Sequence, residues 1–249
     1  MRVLGFLIGL WMAFCAAADA QAGTAERADN RGLISFETEA GETLTIRLAG
    51  IEFPRPGAPG HGLAMRVLDE TLRNHPSVEL IGLNDRQDRY GNLIADFELG
   101  NMTLANVMVG SGFAMAYSWS DMRQGAEYLL SIEGEARAAR RGLWEAGIFA
   151  IRTPDPNTLA LYLETVQIVE GRVISVSETR ERTYLNFGFD YRTDFTVSIA
   201  ARDVSTFTEA GLDLASLEGR IIRVRGWVGA INGPSMTIDH PERIEVLTP

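Results

Sequence analysis

Residues 43–56 alternate between apolar and polar side chains and then enter a loop that contains two prolines. Leu44, Ile46 and Leu48 fall on one face of this stretch, whereas Thr45 and Arg47 fall on the other. Such alternation is typical of a β-strand that is buried on one side only. The chain is therefore expected to build a sheet or barrel around this strand, with Arg47 on its open face beside the loop.

Arg47 is a candidate anion-binding residue because of its place at the end of this strand. A guanidinium group offers a planar fork of donors that matches two phosphate oxygens. The alternative is that Arg47 only pairs with Glu52 or with another surface acid, which would give it no ligand-binding role.

The first residues have the layout of a secretory signal. A basic residue, Arg2, precedes an apolar run over residues 3–18, and small residues follow as far as Ala20. Cleavage is expected after Ala20 or Ala22, which predicts a periplasmic or secreted protein with no stable membrane insertion. A membrane anchor is the weaker alternative, because the apolar run is short and lacks a basic flank on its far side.

The composition narrows the possible partners. Cys15, the only cysteine, lies inside the predicted signal after a bulky Phe14, so we expect neither lipid attachment nor a disulfide in the processed protein. All 23 basic residues are arginines, yet the formal net charge is −10. This acidity opposes strong, nonspecific attraction to nucleic acid or anionic membranes, so a polyanion would need a local basic patch.

The hydrophobic periodicity predicts a small barrel with helices in the first half of the chain. Residues 21–31 are polar and are expected to be loosely ordered. The predicted strands cover residues 33–36, 43–51, 78–83, 92–99 and 113–117, and the predicted helices cover residues 63–74, 104–109 and 124–141.

Two nearby prolines, Pro154 and Pro156, mark a boundary between halves. Beyond it, strands are predicted over residues 166–176, 183–187, 194–201, 221–228, 235–239 and 243–247, with a helix over residues 207–217. This order is typical of a small Greek-key barrel of the oligonucleotide- or oligosaccharide-binding (OB) type. We therefore predict an α+β, mainly β protein with two barrel domains, over residues 21–150 and 160–249, after a signal at residues 1–20.

The first half resembles the staphylococcal nuclease, or thermonuclease, family from Leu33 to about Gly147. Five motifs in order carry the resemblance: Ile46–Ile51 followed by an acid and proline, Asp88–Gly91, Leu93–Phe97, Leu104–Ala114 and Glu133–Trp144. The resemblance implies an OB-fold barrel and hydrolysis of DNA and RNA at a calcium site. In that family, acids hold the metal, a glutamate helps to activate water, and two arginines grip the phosphate.

The family's site residues are only partly present. Arg47 matches the first arginine, and Glu52 matches a metal-binding aspartate but is longer by one methylene. Phe53 stands in place of a small hydroxyl residue, and Arg55 in place of the glutamate. Asn92 occupies the position of the second arginine and cannot supply its charge.

The other metal-binding aspartate aligns with Arg31 or Gly32, and Asp29 is the nearest acid. Arg47 and Glu52 are thus catalytic remnants, and Glu52 with Asp29 are the candidate metal ligands. Because losing one transition-state donor costs about a hundred- to a thousandfold in rate, the sequence predicts an impaired enzyme that needs no cofactor. The alternative is a working Ca²⁺-dependent nuclease that uses substituted groups.

The predicted role is binding or scaffolding, with nucleic acid, an oligosaccharide or an envelope protein as the partner. Candidate binding residues are Arg47 with Arg55 as an anion-binding pair, Tyr90 in the Asp88–Gly91 turn, Tyr184 and Arg225. Tyr184 belongs to an aromatic group on the second barrel that could stack on bases or sugars. Packing is the alternative for Tyr90, and part of the aromatic group is expected to be core.

Overall fold

The computed structural model of the chain describes residues 21–82 and 86–247. The predicted signal at residues 1–20, including Cys15, lies outside the described residues, and export stays a prediction. Among the helices of the described part, none combines the length and the apolar character that a membrane crossing needs.

Within the described residues, the first half contains eight strands and three α-helices. The strands are β1 (Gln21–Arg27), β2 (Ile34–Thr38), β3 (Thr43–Leu48), β4 (Ile51–Glu52), β5 (Val78–Ile81), β6 (Leu93–Leu99), β7 (Met102–Thr103) and β8 (Met115–Ala116), and the helices are α1 (His61–Asn74), α2 (Leu104–Gly110) and α3 (Ala126–Ala138). Five of the strands close into a barrel in the order β1–β2–β3–β6–β5, with β3 and β6 parallel and β5 returning to β1. The barrel predicted for this half is confirmed.

Strand β3 follows the alternation that predicted it. Ile46 and Leu48 are buried in the barrel core, whereas Arg47 between them points outward and is only half-buried. β3 ends at Leu48, and β4 follows after a tight turn in which Gly50 has a φ of 74°.

The expectation of a loosely ordered segment at residues 21–31 is wrong for its first part. Residues 21–27 form β1, which pairs with both β2 and β5. The inward-facing residues of β1 are small, and a Cβ on Gly23 would lie 2.2 Å from the carbonyl oxygen of Glu37. The backbones of β1 and β2 therefore lie close together at Gly23. Because β1 buries no large apolar side chains there, its hydrophobic pattern does not identify it as a strand. Signal cleavage after Ala20 would leave β1 whole.

As far as residue 247, where the description ends, the second half has nine strands and two short α-helices. The strands are β9 (Ile151–Arg152), β10 (Val166–Arg172), β11 (Ser175–Glu178), β12 (Arg182–Asn186), β13 (Thr196–Ala200), β14 (Ile221–Trp227), β15 (Gly229–Ala230), β16 (Pro234–Thr237) and β17 (Ile244–Val246), and the helices are α4 (Pro156–Leu159) and α5 (Val204–Glu209). The predicted helix over residues 207–217 is thus shorter and starts earlier.

These strands form two sheets, of four and five strands, over one hydrophobic core. Strand β10 continues into β11, and β14 into β15, after bends of one or two residues. Counting each bent pair as one strand, the pairing is closed and matches the first half, including a parallel pair, β13 and β16. The predicted α+β class is confirmed, and the second half has the strand pairing of an OB-like barrel. The domain limits themselves stay a prediction.

The two halves share an apolar cluster. Met115, Leu143 and Trp144 of the first half pack with Val166 and Ile168 of β10. Contact between the halves places the start of β10 and the end of β14 beside the loop that follows β4.

Asp96 on β6 makes the stability of the first barrel depend on pH. Its Oδ1 accepts hydrogen bonds from the backbone N–H groups of Phe97 and Ala105. Burial nevertheless raises the pKa of Asp96 from 3.8 to about 6. The folded state therefore binds this proton more tightly than the unfolded state, and stability falls as the pH rises through about 6.

The substitution Asp96→Asn keeps the oxygen acceptor and removes the titration. We expect the variant and the wild type to be similar below about pH 4, and the variant to be more stable by up to about 3 kcal/mol above pH 6. Urea unfolding across this range measures the difference. If the free energies of unfolding of the two proteins depended on pH in the same way, Asp96 would not be the group whose titration changes the stability.

Candidate functional site

A groove of about 570 Å³ lies beside the loop after β4, where the two halves meet. Most of its lining comes from the first half, and β10 and β14 contribute Val166 and Trp227. The polar and aromatic lining residues are Arg31, Arg47, Glu52, Phe53, Arg55, Arg86, Gln87, Asp88, Arg89, Tyr90, Asn92, Tyr117, Trp119 and Trp227. The groove is therefore built from residues that are distant in sequence.

The groove is positively charged although the chain is acidic. Five arginines line it, at positions 31, 47, 55, 86 and 89, against two carboxylates, Glu52 and Asp88. The chain as a whole has a formal charge of −10. Charges of one sign in a concave site raise the local concentration of a ligand of the opposite sign. The groove is thus the local basic patch that a polyanion would need.

Arg47 lies between an acid and an aromatic ring. Its Nη2 donates to Glu52 Oε2 at 2.9 Å, and its guanidinium carbon lies 5.0 Å from the ring centre of Trp119. Burial raises the pKa of the Glu52 carboxyl, and the charges of Arg47 and Arg55 oppose this rise. Glu52 therefore serves here as the partner of Arg47, whose side chain is 33% exposed and lines the groove.

Arg55 stacks on the second half. Its guanidinium lies 3.9 Å from the ring centre of Trp227 and 3.9 Å from a carboxylate oxygen of the exposed Glu164. A cation over an indole face is a favourable arrangement. Arg47 and Arg55 line the same groove, as their predicted pairing around an anion requires.

The Asp88–Gly91 turn presents Tyr90 to the groove. The Asp88 carboxylate accepts hydrogen bonds from the backbone N–H groups of Tyr90 and Asn92 and from the side-chain amide of Asn92. The Tyr90 ring is 63% exposed, and the guanidinium groups of Arg31 and Arg89 lie 5.8 and 4.9 Å from its centre. Tyr90 is therefore an accessible stacking surface and not a packed residue, whereas Asn92 is held by Asp88.

The residues present do not fit a calcium ion. Glu52 is paired with Arg47. The side chains of Phe53 and Arg55 contain no oxygen atom that could bind calcium. Asp29 accepts from the backbone and side chain of Arg31 and from the backbone of Leu33, and it does not line the groove. Within residues 21–82 and 86–247, no group of three or more His, Cys, Asp and Glu side chains is placed to hold a metal.

Two predicted binding residues lie elsewhere. Arg225 is 3% exposed, and its guanidinium donates to Glu133, Glu245 and the carbonyl oxygen of Ala116. Arg225 therefore does not line the groove, because its side chain on β14 faces Glu133 of α3. Tyr184 lies on β12 between Ser177 and Ser198, and it does not line the groove.

Four lining residues were not among the predicted site residues: Tyr117, Trp119, Arg86 and Trp227. A signal for the first two was available, since aromatic residues flank Ser118 at alternate positions. Arg86 lines the groove and pairs with Asp121, and no local pattern distinguishes it from other arginines in polar turns.

Comparison with known proteins identifies a segment of the first half. Residues 45–146 match a family model described as "Staphylococcal nuclease homologue". This segment is a staphylococcal nuclease-like domain. The family resemblance predicted from the motifs is confirmed, and four of the five groove arginines lie within the matched segment; Arg31 precedes it. A search of curated proteins found no match.

Proposed function

We propose that the groove binds single-stranded nucleic acid and that it does so without calcium-dependent hydrolysis. The observation that carries this proposal is the pairing of groove arginines with groove aromatic rings: Arg47 with Trp119, Arg55 with Trp227, and Arg31 and Arg89 with Tyr90. The proposal thus assigns a binding activity to the nuclease-like domain. It also includes export of the protein, which the signal-like pattern of residues 2–20 supports.

The two kinds of side chain match the two parts of a nucleic-acid strand. Arginines neutralise phosphates, and aromatic rings stack on unpaired bases whatever their sequence. Duplex DNA keeps its bases stacked inside, so rings set within a groove favour a single strand. A neutral oligosaccharide would leave five guanidinium groups without an anion, which makes it the weaker candidate.

The same residues argue against hydrolysis. The position expected to prepare the attacking water holds Arg55, a cation that cannot accept a proton. His61, a possible substitute base, is buried at the start of α1, with its Nδ1 2.7 Å from the carbonyl oxygen of Pro54, and it does not line the groove. The nuclease-like domain thus retains a phosphate-binding arginine and lacks the groups that would use it for cleavage.

The test is a titration of the purified protein with a fluorescent oligothymidylate, in calcium and in chelator. We expect saturable binding in both, quenching of tryptophan fluorescence, and an intact oligonucleotide at the end. Duplex DNA, heparin and dextran serve as comparisons. Heparin binding as tight as the oligonucleotide would remove base stacking from the proposal, and calcium-dependent cleavage would replace it with the nuclease alternative.

A further inference from the structure

The aromatic wall of the groove, defined as Tyr117 and Trp119, is held from both halves of the chain. In its own half, Trp119 pairs with the backbone of Met122 and its ring lies beside Arg47. Strand β8 ends at Ala116 after two pairs with β4, and the N–H of Tyr117 makes the last bond to that side, with Gly50. The wall follows directly, and the carbonyl groups of Ala116 and Ser118 are left for other partners.

Side chains of the second half form hydrogen bonds with the backbone carbonyl groups of Ala116 and Ser118 and with the Ser118 hydroxyl. Arg225 Nη1 donates to the carbonyl oxygen of Ala116 at 2.8 Å, and Arg243 Nη2 to that of Ser118 at 2.7 Å. His240 Nε2 lies 2.7 Å from the Ser118 hydroxyl. The three are only 3%, 5% and 0% exposed, so these contacts are shielded from water.

Arg243 also holds the wall itself. Its Nη1 donates to the Tyr117 hydroxyl at 2.8 Å, and its guanidinium lies 4.1 Å from the centre of that ring. Tyr117 in turn meets Trp119 edge to face at 5.8 Å. Because side chains alternate along an extended segment, holding Ser118 on the interface side keeps its two neighbours on the groove side.

We infer that Arg243 and His240 are positioning residues for the groove: the second half determines where Trp119 stands, and so how tightly the nuclease-like domain holds a base. This inference rests on the proposed function for its ligand. It also assigns a role to the second half, which supplies Trp227 directly and Trp119 indirectly.

The test compares three variants of the full chain. Arg243→Gln and Ser118→Ala remove contacts to the wall, and Arg123→Gln is the matched control, since it breaks an ion pair with Glu242 between the same two halves. We expect the first two to weaken oligothymidylate binding about five- to tenfold, the size of a partly lost base stack. The salt dependence of binding should not change, because the phosphate contacts remain.

A second readout needs no ligand. In protein labelled with 5-fluorotryptophan, the ¹⁹F resonance of Trp119, assigned with Trp119→Phe, should shift in Arg243→Gln and stay in place in Arg123→Gln. If the wild type binds no oligonucleotide, the proposed function fails. The ¹⁹F resonance of Trp119 then tests by itself whether Arg243 positions Trp119. An unshifted Trp119 signal in Arg243→Gln, or equal losses of affinity in that variant and the control, would overturn it.

Discussion

Substituting Arg225→Met is expected to lower the free energy of unfolding by about 3–5 kcal/mol, which corresponds to a fall in Tm of about 10 °C for a chain of this size. The reason is that the substitution removes the cation that neutralises the buried Glu133 carboxylate. Glu133 is 0% exposed, and Arg225 Nη2 lies 2.7 Å from its Oε2. Among the described residues, the buried Glu133 carboxylate would then keep only the N–H of Ala116 and a guanidinium nitrogen of Arg137 at 3.9 Å.

Thermal unfolding of the single and double variants measures this effect. Arg225→Met with Glu133→Gln should recover most of the loss, because the glutamine can still accept from the N–H of Ala116 and carries no charge. Arg223→Met is the comparison on the same strand: Arg223 is 13% exposed, and its partners Glu170 and Glu245 reach solvent. A loss in Arg223→Met as large as in Arg225→Met would contradict the argument from burial.

Substituting Arg47→Ala is expected to weaken binding of single-stranded nucleic acid by about 10- to 100-fold, which is the value of one charge-assisted hydrogen bond. The slope of log affinity against log salt should also fall by about 0.7, as for one lost phosphate contact on a single strand. Fluorescence anisotropy at several salt concentrations gives both quantities.

Arg66→Ala is the matched control for Arg47, since Arg66 is an exposed arginine of α1 that does not line the groove. It changes the net charge by the same amount, so it corrects for the field of the whole protein. Equal effects in the two variants would mean that the protein attracts nucleic acid through its overall charge and not through the groove.

The second half packs against helix α3 of the nuclease-like domain through a buried ion pair. Glu133 lies in α3 of the first half and is one of the residues on which the family resemblance rests. Its ion pair with Arg225 of β14 makes α3 part of the interface between the halves. Variants that remove Arg225 are therefore expected to affect the groove as well as stability, because Arg225 also donates to the Ala116 carbonyl oxygen next to the aromatic wall.

Local patterns in the sequence predicted most elements of the first barrel, with β1 as the exception. The alternation in residues 43–48 predicted β3, and helical spacing in residues 63–74 predicted α1, because periodicity records which side of an element is buried. The motifs around Asp88 and Glu133 led to the family. The substitutions at Phe53, Arg55 and Asn92 led to the prediction of an impaired catalytic site, since the family's chemistry at those positions needs particular side chains.

The tertiary structure alone decided the groove and the role of Arg225. The contact of Arg55 with Trp227 joins residues far apart in the chain, and nothing in the local pattern around either residue encodes it. Arg225 and Arg223 occupy the same face of β14, yet packing against α3 buries the first more deeply. Strand β1 was missed for the same reason: its burial comes from close backbone approach at Gly23, a property of the assembled barrel and not of the segment.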